Sequence, residues 1–143
     1  MKKSLFFLLL LFFLTLSCGD EVKDIEILID APAVVEEDEE FDVFVKILNT
    51  SDSEQKLLSI DIANQYLKGI MVLNIDPVYK ESMRIPIFNS MNYSYNYSLV
   101  PDDTTVFKIE CKAIALGDFS GDFEFCINND MDMLSRNVRT VVK

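Results

Sequence analysis

The chain has 143 residues, 24 acidic against 13 basic, three cysteines, and neither histidine nor tryptophan. That is the length of one domain. The missing histidine excludes Ser-His and Cys-His nucleophiles, histidine-ligated metals and histidine pH switching. The net charge of −11 works against binding a phosphate backbone and against attraction to anionic lipid.

Residues 1–17 read MKKSLFFLLLLFFLTLS. Lys2 and Lys3 supply a positive start, and Leu5 through Leu14 are all Leu or Phe. This is the layout of a secretory signal peptide; the apolar stretch is shorter than the ~18–20 residues that span a bilayer. Thr15-Leu16-Ser17-Cys18 resembles a bacterial lipobox. The resemblance implies that Cys18 is diacylated, becomes the new N-terminus, and holds the protein to a membrane. Each buried CH₂ of such a lipid contributes about 0.8 kcal/mol. Ordinary cleavage after Gly19 is the competing outcome. The expected organisation is a signal helix over 1–17, a polar tether over 18–23 and one domain over 24–143.

Beyond the tether the dominant pattern has period two, the signature of strands. A first strand over 25–29 stops at Asp30-Ala31-Pro32, and the acidic run Glu36-Glu37-Asp38-Glu39-Glu40 is a loop. Phe41, Val43, Val45 and Ile47 alternate with Asp42, Phe44 and Lys46 in a second strand reaching Asn49. After a turn over 50–53, Leu58, Ile60 and Ile62 form a third, and a helical turn fits within 59–67. Residues 69–73 make a short apolar strand. Residues 83–87 make another, which Pro86 confines to a sheet edge.

Tyr93, Tyr95, Tyr97 and Leu99 then share one face, with Asn92, Ser94, Asn96 and Ser98 on the other. Phe107, Ile109, Cys111, Ala113 and Ala115 follow as the next strand. A hairpin turn over 116–121 leads to Phe123, Phe125 and Ile127, and 138–142 closes the chain. About seven to nine short strands at this spacing predict an all-β, antiparallel two-sheet sandwich. Phe41-x-Val43-x-Val45-x-Ile47-x-Asn49, Leu58-x-Ile60, Tyr97-x-Leu99-x-Pro101 and Ala113-x-x-x-Gly117-x-Phe119-Ser120-Gly121 resemble bacterial immunoglobulin-like domains of the cell-adhesion-related, surface-protein kind. The resemblance spans roughly 25–143 and implies an immunoglobulin-like sandwich; fold similarity by itself transfers no function.

Three features carry potential chemistry. Cys111 and Cys126 would stand opposite each other across a hairpin turning at Asp118-Phe119, close enough for a disulfide in an oxidising compartment. Their neighbours place them on opposite faces, however, so two buried thiols are the other outcome. The Tyr93/Tyr95/Tyr97 stripe is either core or an exposed row that stacks on sugar rings or a protein. The acidic loop over 36–40 and a second acidic turn at Asn128, Asp130 and Asp132 lack the Gly and terminal Glu of a helix-loop-helix calcium site and read as solvated loops. Arg136, Arg139 and Lys143 are too few for nucleic acid. Carboxylate pairs can do acid–base chemistry without histidine; among so many acids they are inevitable and uninformative, and a two-carboxylate hydrolase is the third reading. No catalytic residue, metal or cofactor is expected. The sequence thus predicts a non-catalytic, lipid-anchored envelope protein that binds an envelope or surface protein or serves envelope structure, with glycan binding through the tyrosines as the alternative.

Overall fold

The computed structural model describes residues 24–129 and 133–143. The signal segment 1–17, the tether 18–23 with Cys18, and Asp130 and Asp132 lie outside the described residues.

Among the described residues ten strands follow the alternation, interrupted by one α-helical turn and one 3-10 turn. They are β1 (Ile25–Asp30), β2 (Val34–Val35), β3 (Glu40–Asn49), β4 (Gln55–Ala63), α1 (Asn64–Leu67), β5 (Ile70–Asp76), β6 (Glu81–Ile85), β7 (Ser90–Leu99), β8 (Thr104–Ala113), β9 (Gly117–Ile127) and β10 (Met133–Val142). Nine match the expected strands. The tenth, β2, is two residues long and runs parallel to β10, too short for any periodic signal. Every other pairing is antiparallel.

The strands form two sheets, ordered β1-β3-β8-β5 and β2-β10-β9-β4-β7-β6. In space this matches an immunoglobulin sandwich, with four strands facing an extended second sheet. The connectivity departs at one place. After β4 the chain crosses to the four-stranded sheet as β5, returns as the hairpin β6–β7, and crosses again to β8. Strand β6 is consequently one outer strand of the six-stranded sheet, opposite β2, and β5 one outer strand of the other, opposite β1. The edge position expected from Pro86 holds, but the strand stops before it: β6 ends at Ile85 and Pro86 opens a 3-10 turn, Pro86–Phe88, where the strand was expected to reach residue 87.

The expected hairpin over 116–121 does not form. Strands β8 and β9 belong to different sheets, and the chain passes between them through 114–116. Asp118 and Phe119 lie inside β9, paired with Val141 and Thr140 of β10. Phe119 lies on Gly69: a Cβ there would sit 2.0 Å from its ring. The left-handed backbone positions fall on Asp24, Asp38, Asn89, Asp102 and Asn128 besides Gly117. Asp and Asn tolerate that region better than other side chains do, so a chain with four glycines still makes its turns.

The core is continuous between the sheets. Val43, Val45 and Ile47 of β3, and Phe107 and Ile109 of β8, face Ile60 and Ile62 of β4 and Phe123 and Phe125 of β9, all fully buried. A bulge between Leu57 and Ser59 brings Leu57 rather than Leu58 to the core. Tyr66 of α1 plugs one end, edge-on to Phe123 at 5.3 Å and bonded through its hydroxyl to Thr140 Oγ1 at 3.0 Å. Asn49 is also fully buried. Its amide donates to the Ser53 and Leu99 carbonyls at 2.8 Å, and its oxygen accepts from Ser51, so the 50–53 turn is satisfied from within.

Candidate functional site: the β6 margin and the outer sheet face

The tyrosine stripe belongs to the core. Tyr93 and Tyr95 are buried, and Tyr95 and Tyr97 both meet the Phe107 ring at 5.3 Å. Tyr95 donates to the Pro77 carbonyl at 2.9 Å. Burial pushes the Tyr93 hydroxyl up to about 12. Rings packed edge to face inside a sandwich offer no stacking surface, so the stripe proposed for ligand contact is corrected to a structural row.

The cysteine pair is corrected likewise. Cys111 points inward from β8 and is buried, and burial pushes its thiol up to about 12. Cys126 sits on β9 of the other sheet, opposite Met133 and Ser59 on the outer face. A sheet stands between them, and no disulfide joins them. A thiol so far above neutral pH is a poor nucleophile, and Cys111 serves as a small apolar residue.

The remaining candidates are engaged locally. Arg139 makes a two-point contact with Asp118 at 2.8 and 2.6 Å, and Arg136 donates to the Ile27 and Ser135 carbonyls. Glu39 accepts from the Glu36 backbone at 2.6 Å, and Asp38 meets Lys112 at 3.3 Å. Among the described residues no group of three Cys, Asp or Glu side chains is placed to hold a metal. On the four-stranded sheet Lys108 lies 2.9 Å from Glu110 and 3.3 Å from Asp42.

What the fold does assemble lies along β6. The outward residues of the six-stranded sheet fall in register. Met83 of β6 stands opposite Asn92 of β7, Asn92 opposite Asp61 of β4, and Asp61 opposite Glu124 of β9. The Asn92 amide donates to Asp61, a residue only 6% exposed. Glu124 is held above the ordinary carboxyl range by burial, then by the charges of Asp61 and Asp122. Asp61 and Asn92, with Ser59 and Ser94, floor a groove of about 390 Å³ walled by Met83, Ile85, Phe88, Leu58 and Met133. Phe88 is 67% exposed and the adjacent Ile87 85%, unusual for large apolar side chains beside a groove.

The opposite face of β6 borders a second hollow. Arg84 stands opposite Met91, on the face that Ser82 shares with Tyr93. Between the outer strands of the two sheets a cleft of about 220 Å³ is lined by Leu67, Val72, Arg84, Met91, Tyr93 and Ile114, among others. Sequence reasoning found β6 and its edge position but neither hollow. The signal was present in Met83-Arg84-Ile85, a charge flanked by apolar residues on an edge strand; which face each residue takes depends on pairing with β7.

No protein-family model matches the sequence, and no curated protein matches it significantly. Solved structures do share the fold. Native Escherichia coli alpha-2-macroglobulin superposes with a TM-score of 0.55 at 13% identity, over 84% of this chain and 7% of that one. The cupredoxin domain of amoB from Nitrosocaldus yellowstonii gives 0.52 at 8% identity, over 85% and 88%. The wild-type C-terminal part of BspA, an AgI/II polypeptide of Streptococcus agalactiae, gives 0.50 at 14% identity, over 82% and 50%. The chain spans only a small fraction of the macroglobulin, and identities this low carry the fold alone. Likeness to a cupredoxin domain brings no copper set with it, because a chain without histidine cannot supply His₂Cys ligation.

Proposed function

We propose that this chain is a non-catalytic lipoprotein of the bacterial cell envelope, tethered through Cys18, whose immunoglobulin-like sandwich binds a protein partner there. The observation that carries the reading is the outer-face groove: a half-buried polar row walled by Met83, Ile85, Phe88 and Met133. Methionine and aromatic side chains around a few placed polar groups are the composition of protein-binding surfaces. The signal layout of 1–17 and the Cys18 motif support the location.

The test has two parts. The intact mass of protein from its host's membranes should correspond to a chain beginning at Cys18 with acyl groups attached. A photo-crosslinking residue placed at Met83 or Met133 should yield a discrete protein adduct in whole cells, and one at Lys46, on the other sheet, should not. A lipid-free mass beginning at Asp20 removes the tether. Absence of an adduct from both groove positions removes the binding surface.

A further inference from the structure

Strand β6 presents a free edge between the groove and the cleft. As an outer strand of its sheet it pairs, among the described residues, only with β7, and Glu81 through Arg84 are all exposed. An edge with unpaired backbone N–H and C=O groups is a template for another strand. Residues facing the cleft from such a strand would lie beside Ser82 and Arg84, and the alternate residues beside Glu81, Met83 and Ile85.

The Arg84 guanidinium sets the chemistry. Among the described residues it has no ion-pair or hydrogen-bond partner, whereas Arg136 and Arg139 both do. It projects over a cleft otherwise lined largely by Leu, Ile, Val, Met and Tyr. A carboxylate beside it would gain a charge-assisted hydrogen bond, and an apolar side chain two positions along would fill the cleft. At about 220 Å³ the cleft is below the ~300–1,000 Å³ of pockets that enclose a free small molecule. Side chains delivered by a polypeptide suit it better.

A second copy of this chain is a poor occupant. In a two-fold antiparallel pairing of β6 with itself, opposite residues share a face. Arg84 would then meet Ser82 or another Arg84, and no carboxylate comes from the inward face. Like charges directly opposite are destabilising.

We infer that the β6 edge accepts an extended strand from a different protein, with a Glu or Asp facing Arg84 and an apolar residue two positions away in the cleft. This names the partner's chemistry and rests on the protein-binding reading above. The chain's overall acidity does not forbid it, because exposed charges beyond about 8 Å are largely screened at physiological salt.

The probe is the peptide acetyl-Val-Thr-Leu-Thr-Glu-Thr-Val-amide, titrated into the detergent-solubilised, isotope-labelled full chain and followed by NMR. A second peptide carries lysine in place of the glutamate. The expected result is saturable shifts confined to β6, Val72, Met91 and Tyr93, with the glutamate peptide bound roughly tenfold more tightly, the scale of one charge-assisted bond. Arg84→Gln should abolish the difference and Arg84→Glu should reverse it. Equal binding of both peptides, a preference unchanged in Arg84→Glu, or no shifts at β6 overturns the inference. So does self-association of Arg84→Gln without peptide binding, which would make Arg84 a guard against edge-to-edge pairing. None of these outcomes touches the in-cell crosslink at Met83 and Met133, so the broader reading stands or falls separately.

Discussion

The hydroxyl relay at the α1 end of the sandwich makes a prediction whose sign follows from the bonding. Tyr66 Oη lies 3.0 Å from Thr140 Oγ1, which lies 3.0 Å from the Pro32 carbonyl oxygen. A carbonyl only accepts, so the single Thr140 proton goes to Pro32 and Tyr66 must donate to Thr140. Tyr66→Phe then removes one neutral hydrogen bond and leaves Thr140 still bonded to Pro32. The cost is about 0.5–1.5 kcal/mol. Thr140→Val is worse, because Tyr66 is fully buried and its donor is stranded. That desolvation costs about 1–3 kcal/mol, and losing the Pro32 bond adds about 1 kcal/mol. The double variant strands no donor and should be more stable than Thr140→Val alone. Urea unfolding followed by circular dichroism reads this directly. With an m-value of about 2 kcal/mol/M, Thr140→Val should lower the midpoint by about 1–2 M and Tyr66→Phe by under about 1 M at unchanged slope. If Tyr66→Phe costs as much as Thr140→Val, or the two costs add in the double variant, the assigned donor direction is wrong.

Further predictions follow from burial. Tyr66 and Tyr93 are raised from 10.0 to about 12, and Cys111 from 9.0 to about 12, chiefly by desolvation. The fold therefore favours their protonated forms; this stability is complete below the unfolded-state values and is lost as pH rises through the folded ones. Urea midpoints should fall steeply between about pH 10 and pH 12, and less steeply in Tyr66→Phe; a flat profile to pH 12 refutes this. Gly121→Ala should cost about 1–3 kcal/mol by overpacking, since its Cβ would lie 2.9 Å from Ala63 Cβ and 3.0 Å from Tyr66 Cβ; an unchanged urea midpoint would mean that α1 shifts freely. Reductant should change neither the mass nor the urea midpoint, because Cys111 and Cys126 are on different sheets, and native alkylation should spare Cys111.

Strand positions were legible because period-two alternation is a local property: side chains on a strand alternate faces whatever the strand pairs with. Nine of the ten strands among the described residues came from such local runs of apolar residues, the edge position of β6 came from Pro86, and the missing histidine closed off whole classes of chemistry. Partnership between strands is not local. The turn residues of 116–121 suit a hairpin, yet β8 is claimed by β3 and β5 while β9 is claimed by β10 and β4, so the chain crosses the sandwich there and separates the two cysteines. Alternation also distinguishes two faces without saying which is inside. Only packing, of Tyr95 and Tyr97 against Phe107 and of Tyr93 against Tyr79, turned that face to the core and the Asn92 face to the groove. Arg84 acquired an apolar cleft because β5 and β6, adjacent in sequence, became the outer strands of opposite sheets, and that arrangement is set by long-range burial.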